Sequence, residues 1–220
     1  NQTISVSNAN MRTNTYGNNY TVASGAVASN TASGNGVTAG AVNILGHRGQ
    51  IIGQTGVGAS GLAIAASGSA QTMATNINKF TDATGVTATA RTEAQVIFGA
   101  AGNYTLTIQS DNTTAQTVTF NLSSASTSDG LSAAVTAIND QASKTGVTAV
   151  VNEAGSGIVL ANQTGNDIVL RDTVTTNAAD VTVNKAYRDG SGTLQVDTTA
   201  VTLDFDNTVA DYTTVSGYIQ

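Results

Sequence analysis

Few residues in this chain are of types and spacings that do chemistry. Gly56-Val57-Gly58-Ala59-Ser60-Gly61 matches the Gly-x-Gly-x-x-Gly pattern of dinucleotide-binding turns, in which glycines let the backbone approach a pyrophosphate at the start of a helix. Here Leu62-Ala63-Ile64-Ala65 runs at once into Ser67-Gly68, so the segment reads as a loop or hairpin and no cofactor is expected. His47 is the sole histidine and stands beside Arg48 and Gly49. With no second histidine, no cysteine and no neighbouring acid it makes neither a metal set nor a triad, and a solvated turn is expected. Asp204, Asp206 and Asp211 form the densest acidic patch. Carboxylate oxygens suit Ca²⁺, but the spacing misses the EF-hand loop and lacks its glycine. Alternation with Leu203 and Phe205 puts Asp204 and Asp206 on the wet face of a strand.

Tyr16, Tyr20 and Tyr104 are the candidate sugar-stacking residues in a chain without tryptophan, and packing or edge positions are the plainer reading of each. There is no Gly-x-Ser-x-Gly elbow and no Gly-Lys-Ser/Thr phosphate loop. The sequence therefore assigns no catalytic, cofactor-binding or metal-binding residue, and an enzyme is not expected. Two sites could instead take modification: Asn103-Tyr104-Thr105 and Asn112-Thr113-Thr114 fit the N-linked sequon, and the abundant Ser and Thr could carry O-linked sugars.

Composition narrows the class further. Hydrophobic residues are 40% of the 220, enough for a core, while aromatics are only 5%, so the core is built of Ala, Val, Ile and Leu. Charged residues are 10%, well under the roughly 25% of an average soluble domain; Thr, Ser, Asn and Gly carry the surface. A net charge of −6 without any Lys/Arg run argues against a nucleic-acid partner, which needs a basic patch. No stretch reaches the ~18 apolar residues of a membrane helix, and no charged-then-apolar leader is visible. The absence of cysteine fits a protein working outside the cell without disulfides.

The elements that position these residues are organised around a stretch that occurs twice. Ala70-Gln71-Thr72-Met73-Ala74-Thr75-Asn76-Ile77-Asn78-Lys79-Phe80 leads to Thr84-Gly85-Val86-Thr87-Ala88, and Leu131-Ser132-Ala133-Ala134-Val135-Thr136-Ala137-Ile138-Asn139-Asp140 leads to Thr145-Gly146-Val147-Thr148-Ala149. Ile77 and Ile138, like Gly85 and Gly146, stand 61 residues apart, so the copies align without a gap. Leu131, Ala134, Val135, Ile138 and Ala142 recur at helical spacing, as do Ala70, Met73, Ala74, Ile77 and Phe80. Ser128 is the expected cap of the second helix, Asp129 suits its positive end and Lys144 its negative end. Each glycine reads as a left-handed stop. Val86, Ala88, Ala90 and Val147, Ala149, Val151 then alternate as strands with one buried face.

Elsewhere the alternation predicts strands at 1–7, near Tyr20-Thr21-Val22, at Val42–Leu45 and Gly61–Ala65, and across a hairpin 103–108/117–122 turning at Asp111-Asn112. Further strands are expected at 157–160, 165–170 and 181–183, and around Leu194, Val196, Val201, Leu203 and Phe205, with a turn at Asp189–Gly192. Residues 23–40 read as linker or weak strands. The fold class is α+β, mostly antiparallel β with two short amphipathic helices in two small related modules. The expected division is an inner domain of 1–98 plus 174–220 with an inserted outer domain of 99–173.

The helix ending at Ile-Asn, followed by Thr-Gly-Val-Thr-Ala and a glycine-turn strand (Gly157-Ile158-Val159-Leu160, then Gly165–Leu170), resembles the repeat of the central, variable region of bacterial flagellins. Asn1-Gln2-Thr3-Ile4-Ser5-Val6 and Val215-Ser216-Gly217-Tyr218-Ile219-Gln220 resemble the exit from and return to the flagellin helical core. The first copy departs from the pattern, with Gln95-Val96-Ile97-Phe98 in place of the glycine-turn strand. The resemblance implies a structural, extracellular part of the flagellar filament, with Asn1 and Gln220 close together. Neighbouring flagellin subunits would be its partners through the full-length protein, and this chain would be monomeric alone. A hook-associated or filament-cap protein, or a cell-surface adhesin module, are the alternatives.

Overall fold

The computed structural model describes residues 34–45, 51–52, 62–173, 175, 177–204 and 211–220. The expected strands at 1–7 and 20–22, the turn at His47 and the loop at Gly56–Gly61 lie outside the described residues, as do Tyr16, Tyr20, Phe205 and Asp206. Short strands β1 (Gly40–Val42), β2 (Ile44–Leu45), β3 (Ile51–Ile52) and β4 (Leu62–Ile64) lead to helix α1 (Ala70–Asn78) and the single turn α2 (Thr81–Thr84). Strands β5 (Ala90–Phe98), β6 (Gly102–Gln109) and β7 (Gln116–Leu122) precede α3 (Ser128–Asn139) and the single turn α4 (Ala142–Thr145). Seven strands close the chain: β8 (Val147–Val151), β9 (Ile158–Asn162), β10 (Ile168–Asp172), β11 (Val181–Arg188), β12 (Leu194–Leu203), β13 (Tyr212–Val215) and β14 (Tyr218–Ile219).

Every strand pairing among the described residues is antiparallel, and the fold is α+β, as the alternating segments imply. Of the two larger sheets, one runs β13-β10-β6-β7 and the other β12-β11-β5-β9-β8, with β14 added on β5; β1 with β4 and β2 with β3 form two-stranded pairs. Inward residues of the two larger sheets share a core. Tyr104, Leu106 and Ile108 of β6 and Val118, Phe120 and Leu122 of β7 meet Ala94, Val96 and Phe98 of β5 and Ile158 and Leu160 of β9. Helix α3 packs on β7 and β8 and closes this core with Leu131, Ala134 and Ile138. A second, smaller cluster gathers Leu62, Ala74, Ile77 and Ala88 with Ile219 against it. The larger core takes residues from both sides of position 98 and from both sides of position 173.

Local chemistry explains where the helices differ from the sequence reading. Thr127, not Ser128, is the N-cap of α3, its hydroxyl accepting from the Gly130 amide, so Ser128 becomes the first helical residue. Helix α1 is capped by Ser69, which accepts from the Thr72 amide. Each long helix breaks at Lys79 or Asp140 and re-forms as a single turn, which ends on a left-handed glycine: Gly85 at φ 72° and Gly146 at φ 71°. Phe80 therefore precedes that turn instead of extending the apolar face, and it is exposed. Ala142 and Lys144 lie in the second short turn, not on α3. The first-copy strand expected from Val86 begins only at Ala90, since among the described residues no strand pairs with 86–88. The second copy forms its strand in full from Val147.

Candidate functional site

Among the described residues, those singled out for chemistry are not gathered into one site. Asp204 and Asp211 do meet, but through backbone: the Asp204 amide donates to Asp211 Oδ2 at 3.2 Å, and the Asp211 amide donates to Asp172 Oδ1 at 2.6 Å. Among the described residues no three His, Cys, Asp or Glu side chains cluster as a metal site. Tyr104 is fully buried, stacked on Phe120 at 5.8 Å and edge-on to Phe98 at 5.0 Å. Its hydroxyl donates to the Ala100 carbonyl at 2.8 Å, and burial pushes its pKa up, so it is a packing residue. Asn103 accepts from Asn121 Nδ2 at 2.6 Å on an exposed strand face, while the Asn112 amide donates to the Thr114 carbonyl within the hairpin turn. A polar depression of about 440 Å³ lies among Ser69, Gln109, Ser110, Asp167 and Arg171; it holds one carboxylate and no partner base.

What the structure does assemble is a pair of buried polar clusters that sequence reasoning missed. Both grip the returning segment 216–218. On one face of β5, Glu93 is fully buried and takes an ion pair from Arg91 at 3.0 Å and another from Arg188 at 3.2 Å. The Tyr218 hydroxyl donates to its other oxygen at 2.6 Å. Burial first, and the Glu93 carboxylate beside it, push the Tyr218 pKa upward. The geometry follows from strand alternation: Arg91 and Glu93 share a face, and Arg91 is the register partner of Tyr218.

The second cluster is centred on Lys185, which continues the inward row of Val181 and Val183 on β11. A register shift between Asn184 and Ala186 marks its position. Its amine donates to Ser216 Oγ at 2.8 Å and to the Gly217 carbonyl at 3.0 Å. Burial lowers its pKa to about 8, opposed by the charge of Asp167. Asp167 is raised by its own burial while accepting from Asn35 Nδ2 at 2.8 Å. A lysine held by two acceptors of the chain's own returning segment and closed from solvent anchors chain. One sequence signal existed for both residues. In a chain so poor in charge, Lys185 is a charge set in the apolar row of Val181 and Val183, and Glu93 is one of few acids in a strand, though it shares its face with Arg91 and Gln95.

The last piece of geometry is a clip used twice. The Asn78 side chain receives the Ala88 amide at 2.8 Å and donates to the Ala88 carbonyl at 2.8 Å. Asn139 does the same to Ala149, at 2.8 Å and 3.0 Å. Thr84 donates to the Phe80 carbonyl and receives the Val86 amide; Thr145 donates to the Gln141 carbonyl and receives the Val147 amide. In the second copy the turn is also locked from outside. Asp111 Oδ1 accepts from Asn162, Thr164 and Asn166 at 2.8, 3.0 and 2.9 Å, and its amide donates to the Thr145 carbonyl.

A family model described as the flagellin hook IN motif matches residues 105–164, which run from within β6 to the turn after β9. No curated protein matches the chain. That match covers the hairpin, the helix, the clip and the β8–β9 pair, and through it the chain is similar to flagellin-type structural proteins.

Proposed function

We propose that this chain is the solvent-exposed middle region of a flagellin, the subunit of the bacterial flagellar filament. The observation that carries the reading is the motif match at 105–164, joined to the clip-and-glycine geometry that recurs at residues 78–88. In this reading the first copy is a second repeat of the same type. Residues 99–173 form the distal part and 1–98 with 174–220 the proximal part, sharing a core. The role is structural and extracellular: it sets the surface, diameter and antigenic character of a motility filament whose polymerisation belongs to other parts of the full protein. Contacts with neighbouring subunits are weak and polar, as a Thr/Asn-rich, charge-poor surface makes them. The chain alone is monomeric, and its exposed Ser and Thr are available to O-linked sugars.

The buried anchors support the same role. Glu93 and Lys185 fix the returning segment instead of lining a cleft, which suits a module whose work is to hold shape. Because the matching model is described by the hook, a hook-associated or cap protein is the second reading. Immunogold electron microscopy of intact source cells, with antibody against this chain, tests both. Label along the whole filament is the expected result. Label confined to the hook junction or tip selects the second reading, and label on the cell body with bare filaments overturns both in favour of an adhesin.

A further inference from the structure

Strand alternation builds the walls of the polar depression on the smaller of the two main sheets. Ile168 and Leu170 of β10 point into the core, so Val169 and Arg171 lie on the outer face. Val169 is the register partner of Gln109 on β6, and Arg171 is the register partner of Tyr212 on β13. Asp167, Asn166 and Ser110, just beyond the ends of these strands, complete the lining. The volume of about 440 Å³ lies toward the lower end of the roughly 300–1,000 Å³ of small-molecule sites, so it suits one small ring and not a chain of them.

The lining is polarised. Arg171 holds its guanidinium over the Tyr212 ring at 5.6 Å, a contact that places the group without using its N–H donors. Its Nε is buried without an acceptor, and no ion pair among the described residues includes it. A buried donor left unmade is costly, and a carboxylate can take two guanidinium N–H groups at once. The other walls offer the opposite. Gln109 commits its amide nitrogen to the Asn112 and Thr113 carbonyls at 3.3 and 3.1 Å, and Asn166 commits its own to Asp111 Oδ1 at 2.9 Å. Their side-chain oxygens accept no hydrogen bond among the described residues. Asp167 is a further acceptor, held at Oδ2 by Asn35, and the Lys185 amine offsets its charge. Ser110 Oγ accepts from Asn162 at 3.0 Å and keeps its proton to donate.

A ligand that satisfies these walls accepts at one end and donates along its length. Sulfate has no proton to give the amide oxygens. A neutral sugar leaves the guanidinium without a charged acceptor, and an amine meets it with the wrong sign. We propose that the depression binds one uronic-acid sugar, its carboxylate on the Arg171 guanidinium and its ring hydroxyls donating to Gln109 Oε1, Asn166 Oδ1 and Asp167. Val169 is the apolar floor under the ring. The site rests on the outer face of β6 and β10 and does not depend on the flagellar reading.

The test is an NMR titration of the isotope-labelled protein with glucuronate, glucose and sulfate at one ionic strength, following the Arg171 Nε–H resonance and the amides of residues 109–110 and 166–171. The expected result is saturable shifts with glucuronate at a Kd of about 1 mM, with glucose and sulfate weaker by about tenfold or more. No shift of the Arg171 Nε–H with glucuronate overturns the proposal. So does glucose binding as tightly as glucuronate, which removes the carboxylate, or sulfate doing so, which leaves only an anion contact. Arg171→Met should lower glucuronate affinity by about tenfold or more, and unchanged affinity in that variant also overturns the proposal; if the variant does not fold, the parent titrations decide alone.

Discussion

Asn78 and Asn139 perform one operation 61 residues apart in sequence: each closes a two-bond clip on the backbone of an alanine ten residues further on. The clip ties the helix end to the strand's outer edge. On β8, the edge strand of its sheet, it also satisfies a donor and an acceptor that would otherwise invite another chain.

Replacing Asn139 by Ala leaves the Ala149 amide and carbonyl without their partner, and it should cost about 1–3 kcal/mol in urea unfolding. Asn139→Asp separates the two halves of the clip. The acceptor for the Ala149 amide survives, while the Ala149 carbonyl now faces a carboxylate. The variant should be destabilised at neutral pH and regain part of the loss in acid, where a protonated carboxyl donates again. Equal stability of the parent and both variants at neutral pH would remove the clip from any account of the fold.

The glycine that ends the second copy is constrained twice. Gly146 is left-handed at φ 71°, and a Cβ there would stand 2.0 Å from Asp111 Oδ2. Gly146→Ala should therefore cost more than the ~1 kcal/mol of a left-handed conformation alone. Adding Asp111→Ala should return part of the loss by clearing the clash, although it also breaks the lock on Asn162, Thr164 and Asn166. Thermal melts of the two single variants and the double variant measure this coupling directly.

Ile138 is 2% exposed on the core face of α3, where the helical spacing of the sequence places it. Ile138→Asp puts an unpaired charge among Leu131, Ala134 and the β7 side chains, costing several kcal/mol. The expected outcome is loss of cooperative melting in the segment 105–164. Phe80→Asp, at the position the same periodicity wrongly assigns to the apolar face, should leave the melt within about 0.5 kcal/mol of the parent.

These contrasts show which features local pattern can reveal. The helix faces, the left-handed glycines and the 103–122 hairpin follow from periods of 3.6 and 2 and from turn residues, so Ile138, Gly85, Gly146 and Asp111 could be read from their neighbours. Phe80 could not, because the helix stops at Lys79, where Asn78 reaches across to Ala88 ten residues on. Glu93 resembles a wet-face residue until Arg188 and Tyr218, 95 and 125 positions away, fold over it. The pairing of residues 89–91 with 218–220 is equally invisible locally, since nothing near residue 89 points to the last three residues.

Lys185 gives the fold a pH dependence whose sign can be worked out. Its amine titrates near 8 in the folded protein and near 10.5 when free, so between those values the unfolded chain binds the extra proton. Stability then rises with pH, because unfolding takes up protons. Below pH 8 the amine is charged in both states and contributes no slope. The groups facing it oppose little of this. The charges of Asp167 and Asp197 only temper the downward shift of the amine, Ser216 and Gly217 do not titrate, and Tyr218, shifted upward by burial and Glu93, acts in the reverse sense only above its free value of 10.0. Urea unfolding between pH 8 and 10 should therefore show stability increasing for the parent. Lys185→Met fills the same volume without the amine and should flatten that slope while leaving Ser216 Oγ and the Gly217 carbonyl to find other donors. A slope of the same size in the variant would mean that the buried amine is not its source.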